Sequence, residues 1–211
     1  QGDLLDAEFM GRMAQGCDTI FHLAALIAIP HSYKAPRSFV EVNAIGTLNV
    51  LEAARAAGVR RVVHTSTSEV YGSARRVPMD ETHPLQAQSP YAATKIAADK
   101  LAESYHASFG VPVVTVRPFN TFGPRQSARA VIPAVIAQAM AGLPEIMLGA
   151  TTPVRDMTFV TDTVGGMIAA AGAEGVEGRA FNLGTGVGES IGTIAQRILN
   201  LIGSNAPVVL D

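Results

Sequence analysis

The sequence predicts an α/β protein built on a parallel sheet, and two observations carry the prediction. Short apolar runs of strand length alternate with longer stretches of helical period along the 211 residues, which is the pattern of βα units with helices on both faces of a parallel sheet. The composition, 48% hydrophobic and 16% charged with a mean hydropathy of +0.24, describes a chain able to bury a core.

Residues 18–24 (DTIFHLA) read as a buried strand, Pro30 and Pro36 mark the loop after it, and a helix follows over 38–57 with Gly58 as its stop. Residues 61–67 (RVVHTST) form the next strand. The stretch 72–89, with Pro78, Pro84 and polar residues, reads as a long surface loop, a place where function concentrates. Ser89 then caps a helix that Pro90 opens, where the missing N–H of proline costs nothing; it runs to Phe109 and stops at Gly110. Residues 111–116 (VPVVTV) form an apolar strand ended by Arg117-Pro118. Beyond it come a helix over about 130–141, a strand at 146–148, the segment RDMTFVTD, an Ala-rich helix, a strand AFNLG, a turn through Gly184, Gly186 and Gly188, a helix over 190–202 and a last strand at 207–210.

Several classes of function are excluded early. Sixteen Lys and Arg against 18 Asp and Glu leave a net charge of -2, so the chain carries no electrostatic footprint for nucleic acid or an anionic membrane. The single cysteine, Cys17, rules out a disulfide scaffold and is expected to be buried as a small hydrophobe. The apolar run FHLAALIAIP is interrupted by His22 and is shorter than the roughly 20 residues a bilayer span needs. The start QGDLLDAEF lacks the basic-then-apolar run of a signal peptide and reads as the interior of a longer protein. The five histidines show no HxxxH or HExxH spacing, so no metal site is expected.

The strongest chemical signal is Tyr91 with Lys95, four residues apart and so on one helix face. A tyrosine used as a base near neutrality needs about 4 kcal/mol of preferential phenolate stabilisation, which a nearby ammonium in a water-poor site can supply. A lone YxxxK pair more often packs and solvates a helix. The hydroxyl-rich strand end Thr65-Ser66-Thr67-Ser68-Glu69 precedes it across one loop, and in a parallel sheet ligands bind beyond the carboxyl ends of strands, so Thr67, Glu69 and the start of the Tyr91 helix are expected to converge. Taken alone, that cluster also fits a turn or an N-cap.

Through these residues and its further ordered motifs the chain resembles the extended short-chain dehydrogenase/reductases of the nucleotide-sugar epimerase/dehydratase group. GDLLD, HLAA, EVNAIGTLNVLEAAR, TSTSEVYG, YAATK, RPFNTFGPRQ and RDMTFVTD follow in that family's order. More narrowly, HLAALIAIPHSY, HTSTSEVYG, SPYAATK and RPFNTFGPRQSARAVIP resemble 4,6-dehydratases acting on nucleotide-linked N-acetylglucosamine in nonulosonic (legionaminic-type) acid pathways.

The resemblance implies a Rossmann-type doubly wound sheet over 1–125, as the remainder of an NAD-binding domain with the catalytic residues. It implies a smaller, mainly substrate-binding region over 126–211, with segments returning to the sheet. The family's Gly-rich fingerprint is not found ahead of Gly2, and the expectation is that a βαβ unit and part of another, on the order of 50–60 residues, precede it. NAD is the implied cofactor, held by Asp3 and Leu4 at the adenine, by Leu23, Ala24, Ala25, Asn43, Thr65, Ser66, Tyr91 and Lys95, and bordered at the nicotinamide by Pro118 and Phe119. Tyr91 would take the sugar O4 proton with Lys95 lowering its pKa, Thr67 would bond O4, Glu69 would remove the C5 proton, and Ser68 stands where many dehydratases place the acid for the departing water. Asn120, Arg125 and Arg155 would hold the nucleotide diphosphate, for which the planar arginine fork is suited. The helices from Ser38 and Ser89 resemble those of a four-helix interface, implying a cytoplasmic homodimer. A 4-epimerase, which has no use for a base at C5, and a noncatalytic NAD-binding protein are the competing readings.

Overall fold

A computed structural model describes residues 2–210; Gln1 and Asp211, the outer bounds of the two expected regions, lie outside the described residues. The chain forms two compact units. One takes the described residues through Pro118 together with Val164–Leu183, the other Phe119–Thr163 and the described residues from Gly184 onward.

The first unit opens with α1 (Ala7–Ala14), which the sequence reading did not foresee, capped by the Asp6 side chain accepting from Phe9 N–H. Then come β1 (Thr19–His22), the short helices α2 (Ile29–Ser32) and α3 (Pro36–Phe39), a π-helical turn over Val40–Ile45, and α4 (Gly46–Ala57), which Gly58 ends at φ 63°. The single helix expected over 38–57 is therefore three pieces. β2 (Arg61–Thr65) stops two residues before the expected end, because Thr67 leaves the sheet to cap a 3₁₀ turn, Ser68–Tyr71. α5 (Pro90–Phe109) has the expected ends: the Ser89 hydroxyl accepts from Ala92 N–H, and Gly110 closes it at φ 68°. β3 (Val113–Pro118) starts later than expected because Val111 N–H still bonds the helix carbonyl of Tyr105.

The chain continues through β4 (Asn120–Phe122), α6 (Val131–Met140), β5 (Ile146–Leu148), β6 (Val154–Phe159), α7 (Val160–Gly172), β7 (Ala180–Leu183), β8 (Gly188–Ser190), α8 (Ile191–Ile202) and β9 (Val208–Leu210).

In the first unit β1, β2, β3 and β7 form one parallel sheet in that order. Side chains alternate across it as strand geometry requires. Val62 and Val113 pack on one face with Leu51, Ala54, Ala102 and Tyr105 of α4 and α5; Val63, Val114 and Val116 pack on the other with Met167 and Ala171 of α7. Helices thus cover both faces, which makes the sheet doubly wound. Each fully buried valine contributes about 1.5–3 kcal/mol relative to exposure.

The second unit has a sheet of β4, β6 and β8 and the parallel pair β5–β9. Its core joins Val135 of α6, Ile146 and Leu148 of β5, and Ala195 and Leu199 of α8. The Ser190 hydroxyl caps α8 by accepting from Thr193 N–H, and Gly186 turns the chain ahead of it at φ 78°.

One expectation is corrected here. Cys17 is exposed, with its thiol donating to Met13 O at 3.2 Å, because it lies on the turn that leaves α1 rather than in the strand that follows. Among the described residues no helix is long and apolar enough to cross a membrane.

Candidate active site

The parallel register of β1, β2 and β3 brings three segments out at one edge of the first unit's sheet: Leu23, Ala24 and Ala25 after β1, Thr65 and Ser66 at the end of β2, and Pro118 at the end of β3. Leu23 is 55% exposed there, although it continues an apolar strand. Asn43, in the π-helical turn, holds the segment after β1 in place. Its carboxamide oxygen accepts from Leu26 N–H at 2.8 Å, and its nitrogen donates to Leu26 O at 2.9 Å and Thr94 Oγ1 at 3.0 Å. With 1% exposure and every polar atom engaged, Asn43 ties the segment after β1 to α5. Asp3 and Leu4 lie beside the start of α4: Asn49 donates to Leu4 O at 2.8 Å, and a Cβ on Gly46 would stand 3.0 Å from the Leu4 side chain. The Asp3 carboxylate is exposed and accepts from Leu5 N–H.

Tyr91 and Lys95 project from the first turns of α5 into the interior, 6% and 3% exposed. Lys95 Nζ donates to Thr65 O at 2.6 Å, which ties the helix to the end of β2. Burial pulls Lys95 down to about 8, with Asp99 pulling weakly the other way. The phenol of Tyr91 is pushed above its ordinary value, first by burial and then by the carboxylates Glu69 and Asp99, while a hydrogen bond from Thr67 works against the rise. The expectation of an acidic phenol kept so by Lys95 is therefore not met by the chain's own groups. Burial and two nearby negative charges outweigh Thr67.

Lys95 yields a prediction about stability. Its folded pKa lies below the ordinary 10.5, so between about 8 and 10.5 the unfolded chain holds the extra proton and stability rises with pH; the gain is lost as pH falls through 8. Lys95→Met removes a penalty of about 3 kcal/mol present at pH 7 and forfeits about 1 kcal/mol of hydrogen bond to Thr65 O. Denaturant titrations should find the variant more stable than the parent chain at pH 7 and no more stable at pH 10.5.

Thr67 and Glu69 approach the same phenol, but not as residues on an extended strand. Thr67 caps the 3₁₀ turn, its hydroxyl oxygen accepting from Glu69 N–H at 3.2 Å, and Ser68 and Glu69 form the first residues of that turn, both half-buried. Sequence reasoning missed the polar residues beneath them: Asp99, one further turn along the Tyr91–Lys95 face of α5, together with His64, Arg117 and Tyr71. A charged residue eight positions after Tyr91 on a buried helix face was the available signal.

In the second unit Asn120 lies on β4 opposite Met157, half-buried like Phe119, and Arg125 is exposed on the loop after β4 with φ 68°, unusual for a residue other than glycine. Arg155, on β6 opposite Glu189, borders a cavity of about 320 Å³ whose apolar wall includes Phe122, Met157, Val187 and Ile198. Asp156 was also overlooked. Its carboxylate accepts from Thr185 N–H and Oγ1 and from Gly186 N–H at 2.7–3.0 Å, fixing the loop that carries Val187.

Among the described residues no cluster of His, Cys, Asp and Glu could hold a metal ion. The edge at β2 does suit a polar cofactor with ribose hydroxyls. Thr65 Oγ1 is buried without a partner, and the Lys95 ammonium has donors beyond the one given to Thr65 O.

Comparison with known proteins shows the family and the fold. Residues 1–207 match the family described as GDP-mannose 4,6 dehydratase. A UDP-glucose 4-epimerase from Mycolicibacterium smegmatis is 36% identical over 97% of this chain and 66% of its own length. A dTDP-glucose 4,6-dehydratase from Actinoplanes sp. is 37% identical over 88% of this chain and 58% of its own. The chain thus spans less than two thirds of the length of these curated relatives. The crystal structure of a double mutant of DesIV, a dTDP-glucose 4,6-dehydratase from Streptomyces venezuelae with NAD bound, superposes with a TM-score of 0.91 at 33% identity, covering 100% of this chain and 66% of that one. The UDP-N-acetylglucosamine 4-epimerase of Methanobrevibacter ruminantium M1 gives 0.93 at 29% identity, covering 100% and 68%. By sequence across nearly its whole length and by its doubly wound fold, the chain belongs to the GDP-mannose 4,6 dehydratase family, within the epimerase and dehydratase branch of the short-chain dehydrogenases/reductases.

Proposed function

We propose that the chain carries the catalytic core of an NAD-dependent nucleotide-sugar 4,6-dehydratase, converting a nucleotide-diphosphate hexose to its 4-keto-6-deoxy derivative. The observation that carries this reading is that Thr67, by a hydrogen bond, and Glu69, by its charge, both bear on the buried Tyr91 phenol, with Lys95 anchored one turn away at the end of β2. Asp3, Leu4, Leu23, Ala24, Ala25, Thr65, Ser66 and Pro118 supply the cofactor edge, with Phe119 at the nicotinamide border. When bound, NAD supplies a hydride store for C4 and C6 and a positively charged ring that favours the phenolate.

The chain's own residues move the protons. Tyr91 takes the O4 proton while Thr67 bonds that oxygen, and the ketone formed at C4 makes the C5 proton acidic. Glu69 removes it, the C6 hydroxyl leaves as water with a proton from the Ser68 side of the turn, and Glu69 gives a proton back to C5 when C6 is reduced. The sugar loses one water and undergoes no net oxidation. Asn120, Arg125 and Arg155 serve the diphosphate, and the apolar cavity beside Arg155 suits a nucleotide base. We assign the N-acetylglucosamine-type substrate on the motifs HLAALIAIPHSY, HTSTSEVYG, SPYAATK and RPFNTFGPRQSARAVIP taken together, a homodimer on the α3–α4 and α5 helices, and a cytoplasmic location on the class of small-molecule chemistry.

A 4-epimerase is the second reading, since it needs only Thr67, Tyr91 and Lys95 and one of the similar relatives is such an enzyme. Incubation with NAD and dTDP-glucose, UDP-N-acetylglucosamine or GDP-mannose, followed by mass spectrometry of the sugar nucleotide, separates the two. Dehydration lowers the mass by one water; an unchanged mass with an inverted C4 supports the epimerase, and recovery of every substrate untouched by a protein that measurably binds NAD refutes both.

A further inference from the structure

The two segments that carry the proposed proton chemistry come from different elements, and one buried arginine joins them. Arg117 of β3 is 7% exposed and donates through Nε and Nη2 to Asp99 Oδ2 at 3.1 and 3.0 Å, so it is forked onto α5 two turns beyond Tyr91. Its remaining nitrogen, Nη1, donates to the Tyr71 hydroxyl at 2.9 Å, and that hydroxyl donates onward to Asn182 Oδ1 of β7 at 2.7 Å. Tyr71 is fully buried, with the guanidinium 5.2 Å from its ring centre and His83 against its edge. It is also the last residue of the 3₁₀ turn that begins with Ser68 and Glu69.

That turn is held weakly at its two ends. The bonds that tie it to its flanks, Val70 N–H to Thr67 O at 3.4 Å, Gly72 N–H to Glu69 O at 3.3 Å and Glu69 N–H to Thr67 Oγ1 at 3.2 Å, lie at or beyond the long end of the range. The short bonds in the region belong to Tyr71 and to Gln86 N–H on Val70 O at 2.8 Å. Asp99 is itself fixed from a second side by His64 Nε2 at 3.1 Å.

We propose that Arg117 is a positioning residue: held by Asp99 on the helix of Tyr91 and Lys95, it pins Tyr71 and so sets where the turn presents Thr67 and Glu69 to that helix. Its consequence for catalysis rests on the dehydratase reading above; its consequence for the turn does not. A displacement of about 1 Å between reacting groups can cost on the order of 10²-fold in rate, so a link that touches no substrate can still govern the chemistry.

The test is Tyr71→Phe, which keeps the ring and deletes the hydroxyl, with Arg117→Lys as the second variant that keeps the charge and loses the fork. Hydrogen exchange read by mass spectrometry should accelerate about tenfold in the peptide spanning 67–72 in both variants while the peptide spanning 91–99 stays unchanged. Unchanged exchange at 67–72, or equal acceleration in both peptides as general loosening would give, overturns the proposal. Where the parent chain converts a sugar nucleotide, Tyr71→Phe should lower kcat about 10–100-fold with KM within about twofold. It should also lower deuterium uptake from solvent at C5 relative to the nicotinamide reduction that reports C4 oxidation. A parental ratio of those two signals overturns the catalytic role. A parent protein that binds NAD but converts nothing, with the exchange pattern as expected, defeats the dehydratase reading and leaves the positioning of the turn standing.

Discussion

Tyr91→Phe should lose hydride chemistry almost completely, with turnover down on the order of 10²–10⁴-fold, the usual contribution of a positioned acid–base group. The phenol is 6% exposed and its pKa is raised by burial and by two carboxylates, so deprotonating it in the chain alone is unfavourable. Phenylalanine keeps the edge-on packing against Phe39, whose ring centre lies 6.3 Å away, and removes only the hydroxyl. The variant should therefore fold, and its melting temperature should match or exceed the parent's. Single-turnover absorbance of the nicotinamide is the measurement: a parental rate of cofactor reduction removes Tyr91 from the reaction. Because the phenol titrates high, the parental rate should also climb with pH across the neutral range.

Glu69→Gln should separate the two halves of the reaction. Glutamine preserves the shape of the side chain and its backbone N–H bond to Thr67, but it has no basic oxygen pair with which to take a proton from C5. Formation of the 6-deoxy product should fall on the order of 10²–10⁴-fold, while reduction of the nicotinamide on adding substrate persists and reverses when substrate is removed. Removing the negative charge that pushes Tyr91 upward should also let the first half run at slightly lower pH. Full yields of the 6-deoxy sugar from this variant would assign the C5 proton to another group, and the epimerase reading would gain from a parent protein insensitive to the change.

The helix bearing Tyr91 and Lys95 could be read from the sequence because its ends are local: a serine cap, a proline in the first turn and a glycine in the left-handed region are written in neighbouring residues. The valine runs of β2 and β3 were legible for the same reason. The break at Val40–Ile45 was not, since its residues keep a helical rhythm and only Asn43, reaching back to Leu26, distinguishes it. The turn at Ser68–Tyr71 was mistaken for extended chain because a threonine and serine run suits either; the tertiary bonds of Tyr71 decide it. Arg117 looked like a strand terminator, when its partner Asp99 lies 18 residues earlier and 4% exposed. Nothing in the immediate sequence around a charged residue reports a counter-charge on another element.

Thr67 shows how tightly one small side chain can be committed. A hydroxyl owns one hydrogen and two lone pairs; the Glu69 amide takes one lone pair, and the hydrogen is left for a bond that favours the Tyr91 phenolate. The β-branch narrows the rotor that carries this hydroxyl. Serine would preserve this wiring with a looser hinge, whereas valine, equal in bulk, would unhook the acid from its scaffold and blind the tyrosine to its neighbour in a single stroke.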